Sequence, residues 1–588
     1  MKKLIALVLT AALLFAVGAG AFADGDKITA IGVGQGIDGD VVVEIVADAT
    51  TLYSVVVTEQ NETPGIGAVA AELLPVSIVE ANSIAIDGIA GATVTSNAIF
   101  TAIREALASA GIDAAPFEVA PEAAEVEKTA ETLECDVLII GAGGAGLTAA
   151  VRANQEGASV LVLEKMAMVG GNSLKASGGM NCADTKFQAA AGVTGSGVRE
   201  FIEDTMNGGH QLNDIELVTT LAENSAEAVE WLESIGAPLP KIAATGGTTH
   251  KYLHSPEDGS PVGRFLVQKL SEEAEKQGIE IMLNTTATEI LMDNGAAVGA
   301  MAEDAAHVYT ISAGSVVVAT GGFGSNFELM CSYNPSLENA VTTNHPGATG
   351  DGITMAVAVG AATVDMEQIQ LHPTVYQETS TLVSEKMRSL GAILVNQSGK
   401  RFTNDLSTRD AVSAAELQQE GGYAYIIFDQ KLVDHNSSAQ EYINRGMAAQ
   451  GATYEELAVN MGLEGEAVAA FAATMETWNQ AVANGVDEEF GRNNGMDDDL
   501  TTAPFYAIQI APGIHHTMGG IKINTSAQVV DVNGEIIPGL FAAGETTGGV
   551  HGGNRIGGNA VCDFVVFGRI AGLGAAEYAL ASDMSAAA

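Results

Sequence analysis

The sequence is short of positive charge and of cysteine, and each shortage excludes functions. Its 588 residues hold 26 Lys and Arg against 73 Asp and Glu, a formal charge of −47. Nucleic acid and anionic lipid are repelled by that balance. Any cluster of Arg and His becomes informative, because an anionic substrate approaches such a chain only where a few cations are focused in one cleft. The four cysteines, Cys135, Cys182, Cys331 and Cys562, stand far apart with no C-x-x-C and no C-x-x-C-H. A zinc ribbon and covalently attached haem are thereby excluded, and no metal is expected. Cys135 opens an apolar strand and Cys562 lies in an apolar helical pattern, so each reads as a small hydrophobe. After the first residues, no apolar run is expected to cross a bilayer.

What is present begins with MKKLIALVLTAALLFAVGAGAFA: two lysines, an apolar run and a small-residue ending. This is the pattern of a secretory signal peptide cleaved after Ala23; its rival, an uncleaved anchor, is disfavoured by the glycines that interrupt the run. The mature protein is then extracytoplasmic. A chain of 588 residues exceeds one hydrophobic core and divides into about three or four folding units. Residues 24–113 alternate short apolar runs such as VVVEIVAD with glycine turns and finish in a helical pattern, IFTAIREALASAG, which predicts a small α+β domain. Residues 114–133, rich in Ala, Glu and Pro, read as a semi-extended linker. From CDVLIIGAGGAG onward, strand-like runs alternate with helical segments in the manner of a parallel α/β sheet.

The strand DVLII leads into Gly141-Ala-Gly143-Gly144-Ala-Gly146, a helix LTAAVRANQEG, a second strand SVLVLE and Glu164. Alone, G-x-G-x-x-G is a weak signal. With the strand before it, the helix after it and the acid at the expected distance, it marks a dinucleotide site. Gly141 permits the tight turn, Gly143 lets backbone approach a pyrophosphate, and Gly146 lets the helix close on the sheet. The helix N-terminus offers N–H groups to phosphate, and Glu164 can accept hydrogen bonds from a ribose. The loop MVGGNSLKASGGMN follows where a nicotinamide domain would continue with further βαβ units, and VVVATGGFG and GLFAAGETTGGVHGGNRIGGNA add later glycine-ended strands.

In these motifs the chain from Cys135 to its C-terminus resembles the flavin subunit of the soluble fumarate reductases, within the wider succinate dehydrogenase and fumarate reductase flavoprotein family. The resemblance implies a multidomain α/β protein. A Rossmann-like FAD-binding domain would span residues 134–365 and 517–588, with an α+β clamp domain inserted over 366–516. It implies FAD bound non-covalently, since His551 lies in a C-terminal loop and no equivalent of a tethering histidine is present. Position by position, it puts Ala145, Glu164, Asn172, Ser173, Gly178 and Gly179 against FAD, and likewise Asp351, Glu545, Arg555, Ala560 and Val561.

Cations and hydroxyls concentrate in QLHPT with His372, LVSEKMRSLGAIL with Ser384, Glu385 and Arg388, KRFTNDLSTRD with Arg401 and Arg409, PGIHHTMGG with His515 and His516, and the loop of Arg555. Taken singly, a histidine is more often structural, and the pair at 400 and 401 reads equally as a solvated turn. Together they are the residue types a small dicarboxylate needs: guanidinium clamps at one end and neutral donors at the other. The resemblance assigns Arg555 and His515 to one carboxylate and places Gly558 at the substrate. It assigns His372 and Ser384 to the other carboxylate, twisted out of the alkene plane so that binding energy is used in the transition state. Reduced FAD would deliver hydride, and Arg409 the proton, refilled through Arg388 and Glu385. By residue type alone, Arg409 suggests a carboxylate clamp. The chain departs from the family at GGTTHKYLHSP, which keeps His254 but puts Tyr252 and Ser255 at two arginine positions; Thr245 and Leu382 replace methionines of the pocket. Fumarate is expected first, with urocanate or an acrylate derivative as alternatives.

An exported reductase cannot draw on cytoplasmic NADH directly, and the haem motif is missing. The stretch DGIAGATVTSNA is a glycine-tight, threonine-bearing turn before a helix, without the lysine of a nucleotide-binding loop. With ETPG at 62–65, it resembles the small FMN-binding domain in which a flavin transferase joins FMN to threonine by a phosphodiester. In the D-x-x-S/T-G-A-T pattern the modified residue is Thr93, with Ala90 in place of the usual hydroxyl residue. A helix N-terminus suits the phosphate. Thr95 as acceptor, and a plain capping turn, are the rival readings. The partners implied are the flavin transferase, an external membrane-linked electron donor and a small enoate. A non-catalytic flavin carrier is the other class of function, and it has no use for a proton relay.

Overall fold

The structure, a computed structural model, describes residues 27–37, 39–62, 67–89, 92–121, 127–338 and 340–586. The expected signal peptide and its cleavage site lie outside the described residues. The chain divides into two compact units, residues 1–123 and 124–588.

In the first unit, strands Ile28–Gln35, Asp40–Ala47 and Leu52–Glu59 form an antiparallel sheet in sequence order, accompanied by helices Gly67–Ala81 and Thr93–Ser109. Glycines let the second helix lie directly on the first strand: a Cβ at Gly32 or Gly34 would stand 1.9 Å from the carbonyl oxygen of Ala102 or Ala98. Ile99, Ile103 and Leu107 are buried on the helix, and Val41, Val43 and Ile45 on the sheet. The stretch read as a linker is shorter than expected at both ends. Phe117 is fully buried in this unit, and its carbonyl accepts from the Ser83 hydroxyl at 3.1 Å. At the other end, the strand Thr129–Ile140 already pairs with His307–Val318 from Thr129 onward. Composition concealed that strand, because its first four residues are exposed and carry no apolar signal.

The second unit is built on an eight-stranded sheet. Its parallel centre runs Glu280–Met282, Val160–Leu163, Thr129–Ile140, His307–Val318 and Ile536–Ala542. Cys135 lies in the third of these strands. The helix Asn559–Ala586, which carries Cys562, packs against the sheet and the helix Gly144–Gln155. A Cβ at Gly572 would stand 2.3 Å from the Ala149 carbonyl oxygen. Contrary to the reading that no later segment is apolar enough to cross a bilayer, Asn559–Ala581 meets that criterion by length and composition. Its apolarity serves packing, since Val565, Phe567, Ala571, Ala575 and Ala576 are buried.

A second sheet, of six strands, includes Ile369–Tyr376, Phe505–Thr517, Ala424–Asp429 and Ile393–Val395. Alternation along Ala424–Asp429 feeds two cores. Ile426 and Phe428 join Leu394 and Ile508 on one side; Tyr425 and Ile427 join Val395, Phe471 and Trp478 on the other. The first and last long strands of this sheet are hydrogen-bonded to each other, with Gln370 opposite His516 and His372 opposite Gly513. Two histidine motifs far apart in sequence, at 372 and 515–516, are thereby brought side by side.

Candidate active site

The three glycines of the fingerprint have three different surroundings. Gly141, at φ +104°, turns the chain where a Cβ would meet the Ala319 carbonyl oxygen at 2.5 Å. A Cβ at Gly146 would lie 1.8 Å from the Gly141 carbonyl oxygen, so the helix start closes on the strand end. At Gly143 the nearest atom is 3.8 Å away, which leaves the backbone open to a cavity of about 690 Å³, within the range of ligand pockets. Around that cavity stand Ala145, Glu164, Asn172, Ser173, Gly178, Gly179, Asp351, Glu545, Ala560 and Val561. Gly146 packs behind the wall. Glu164 is fixed by the amides of Ala142 and Met166, each donating at 2.9 Å, and burial holds its carboxyl above the usual range. Ser173 accepts from the Gly144 amide at 3.0 Å, and Asn172 donates to Glu545 at 3.1 Å. Asp351 is paired with Lys165 at 2.7 Å. The open backbone at Gly143 and this set of fixed acceptors and amides fit a flavin dinucleotide.

The cationic motifs converge on the same cavity. The His372 and His515 rings lie 4.9 Å apart, edge to face. The Thr374 amide donates to His372 Nδ1 at 3.2 Å, so the ring proton sits on Nε2, which is buried without a protein partner. Burial, reinforced by Arg409, holds both histidines well below the usual imidazole range, so they are neutral donors. Ser384 is set by its own amide donating to the Tyr442 hydroxyl at 3.1 Å and by a 2.9 Å contact between its hydroxyl and that of Ser177. Arg555 is buried with its Nε unpartnered; burial, then Arg409, brings its guanidinium down to about 9. Gly558 also borders the cavity.

Three charged residues form a row. Arg409 donates from Nη2 and Nε to one Glu385 oxygen at 2.7 and 3.0 Å, and Arg388 Nη2 stands 3.9 Å from the other. Burial would raise Glu385, but Arg409 and Arg388 outweigh it and hold the carboxyl below its usual range. Arg409 and Glu385 border the cavity; Arg388 is fully buried behind them. One expected member of the cluster is elsewhere. Arg401 bonds Asp405 at 2.6 Å and Asp487 at 2.9 Å and lies over the Trp478 ring at 4.7 Å, outside the cavity lining. A buried guanidinium with two carboxylates is a structural ion cluster, and nothing in its motif distinguished it from a ligand clamp.

Residues 136–561 match the FAD binding domain family, and residues 36–108 match the FMN-binding domain family. The chain belongs to the soluble fumarate reductase flavoprotein family. A solved structure titled as the open conformation of a flavocytochrome c3 fumarate reductase is 42% identical with a TM-score of 0.65, covering 80% of this chain and 85% of that one. The NADH:fumarate oxidoreductase of Klebsiella pneumoniae (strain 342) is 45% identical over 503 residues, 85% of this chain and 53% of that protein. The chain therefore spans about half the length of that relative. The urocanate reductase of Eggerthella lenta is 34% identical over 564 residues, 93% of this chain and 92% of that protein. As a member of this family the protein is a flavin-dependent oxidoreductase, with an FAD-binding domain and an FMN-binding domain.

In this fumarate reductase-type cleft, Gln370 escaped the sequence reading. Its side-chain oxygen accepts from Arg409 Nη1 at 3.0 Å, while its amide donates to the Arg555 carbonyl and to Asn554, each at 2.7 Å. It fixes Arg409 relative to Arg555. The signal was available, because residues i and i+2 of a strand share a face and Gln370 stands two before His372. In the FMN-binding domain, Thr93 is exposed at the first position of its 17-residue helix, whose preceding residue, Ala92, offers no side-chain cap. Thr95 is buried, and its hydroxyl bonds the Glu62 carboxylate. Ala90, Gly91 and residues 63–65 of the second motif lie outside the described residues.

Proposed function

We propose that the protein is an extracytoplasmic fumarate reductase, converting fumarate to succinate with FAD held non-covalently in the cleft and FMN attached covalently to Thr93 as the electron relay. One observation carries the reading: the row Arg388–Glu385–Arg409 opens onto the same cavity as two neutral histidines and a buried guanidinium. A carrier needs none of this. Arg555 and His515 hold one carboxylate of the substrate; His372 Nε2 and the Ser384 hydroxyl hold the other and turn it out of conjugation, which polarises the double bond. FAD, when bound and reduced, would supply the hydride. Arg409 gives a proton from its guanidinium to an alkene carbon, Glu385 passes a proton to Arg409, and Arg388 restores Glu385. An arginine can act as acid here because its acceptor is carbanion-like, and the burial of Arg388 and its nearness to Arg409 make a second full positive charge costly. The extracytoplasmic location rests on the N-terminal signal pattern.

A second reading, reduction of urocanate or an acrylate derivative, is favoured by Thr245 and Leu382 on the cavity wall and by the length of the match to the urocanate reductase. Against urocanate, the end formed by His372, Ser384 and Ser177 offers small neutral donors suited to a carboxylate. Oxidation of a reduced artificial dye, followed with fumarate, urocanate and crotonate in turn, decides among them. The expected order puts fumarate first; a faster rate with urocanate would reassign the substrate, and no activity with any of them would remove the enzyme reading.

A further inference from the structure

Beyond Arg388 stands a buried acid that the proposed reaction leaves unused. Glu416 lies on the helix Arg409–Leu417, on the same face as Arg409 and about two turns along. It is fully buried, and neither carboxyl oxygen has a hydrogen-bond partner. Arg388 has the complementary deficit. Its Nη1 donates to the Asp405 carbonyl at 2.6 Å, but Nε has no hydrogen bond and Nη2 has none either, only the Glu385 oxygen at 3.9 Å. Arg388 and Glu416 attract each other electrostatically; buried polar atoms without a protein partner are uncommon in a folded protein, and ordered water is what satisfies them. Burial drives Glu416 well above the usual carboxyl range while Arg388 pulls it down; the Ala424 amide is the other group that faces it. Burial thus favours the neutral, protonated form of the acid.

Arg388 is fully buried, so its proton has to be restored through a further group. We propose that Glu416 is the proton reservoir behind Arg388, passing its proton to the deprotonated guanidine through a water bound between them. The inference rests on the reduction reaction proposed above. In each turnover the Glu416 O–H bond breaks and an Arg388 N–H bond forms, with the bridging water gaining one proton and losing another. A carboxylic acid is ordinarily a stronger acid than a guanidinium, which sets the direction of the transfer. The carboxylate left behind is itself buried and regains its proton from bulk water by way of the helix C-terminus, where the following residues, Leu417 and Gln418, are exposed. No electrons move in this step.

Glu416→Gln keeps the shape and removes the transferable proton. With reduced dye and fumarate, kcat of the FAD-loaded variant should fall by about tenfold or more, with KM and the rate of FAD reduction unchanged and a larger solvent deuterium isotope effect on kcat. Glu416→Asp, which keeps the acid, should recover most of the rate. A Gln variant as fast as wild type, or an Asp variant as slow as the Gln variant, overturns the proposal. If the Gln variant does not retain FAD, Glu416→Asp is compared with wild type alone, and an unchanged isotope effect on a slowed kcat overturns it. Wild-type protein that reduces no enoate removes the underlying reaction, which is a different result from an active wild type indifferent to Glu416.

Discussion

Arg409 sits between the Glu385 carboxylate and the cavity into which, in the proposed reaction, it delivers a proton, and Gln370 fixes its remaining nitrogen. Truncation to alanine leaves Glu385 facing the cavity with nothing to protonate the alkene carbon. Arg409→Ala is expected to lower kcat by about 10²–10⁴-fold, the span typical of a positioned general acid, while the flavin absorbance of the purified protein is unchanged. A variant that keeps turnover would end the role given to Arg409. At this scale the sequence was readable where one motif pooled several charged groups, as in LVSEKMRSLGAIL, and unreadable where identical chemistry served packing. Arg401 and Arg409 share one motif, yet one neutralises Asp405 and Asp487 in a core and the other lines the cavity. Residue type cannot separate these cases; only the strand and helix to which each belongs can.

Elements decide whether a glycine is there for the protein or for its ligand. Gly146→Ala would drive a Cβ to 1.8 Å from the Gly141 carbonyl oxygen, forcing the helix off the strand at a cost of about 1–3 kcal/mol. Gly143→Ala meets nothing nearer than 3.8 Å. The two substitutions should therefore separate in thermal melts of the FAD-free protein: Gly146→Ala melts lower than wild type, and Gly143→Ala melts with it. Both should bind FAD more weakly, the second because its methyl group occupies the space open to the pyrophosphate. Equal melting of the two apo variants would contradict these distances. The same logic was available from G-x-G-x-x-G itself, whereas the strand that begins at Thr129 was hidden because exposed Ala, Glu and Thr look like linker. A short strand adds a titration test. His254, on Leu253–Ser255, contacts the Tyr252 carbonyl oxygen through Nδ1 at 2.6 Å and the Thr185 hydroxyl through Nε2 at 2.8 Å, and burial takes it down to about 4. The unfolded chain gains a proton near 6.5 and the folded one near 4, so the stability attached to the neutral ring is full above pH 6.5 and is lost as pH falls towards 4. Relative to His254→Asn, wild type should lose about 3 kcal/mol over that window, measured as the difference between their denaturant midpoints at the two ends. Parallel pH dependences in the two proteins would mean that the imidazole titrates normally.

The whole molecule contains two flavin-binding units whose cofactor sites differ in depth. The FAD cavity is enclosed by glycine turns and fixed carboxylates, which is enough to hold a dinucleotide by burial and hydrogen bonding. Thr93 is exposed on a helix end in a chain of charge −47. There, a dianionic phosphate gains the amides of one helix N-terminus but little burial, and the surrounding charge opposes it. In the function proposed above, a covalent bond to Thr93 supplies the retention that such a site lacks. Thr95 does not compete for it, because its hydroxyl is buried against Glu62; sequence order alone left both threonines open, since burial on a helix is settled by what packs over it. Acid precipitation of the mature protein should release FAD and keep one flavin on the chain. Thr93→Ala should keep none, and Thr95→Ala should keep it. Retention by the Thr93 variant together with loss by the Thr95 variant would move the attachment one helical step inward, against the burial that separates the two hydroxyls.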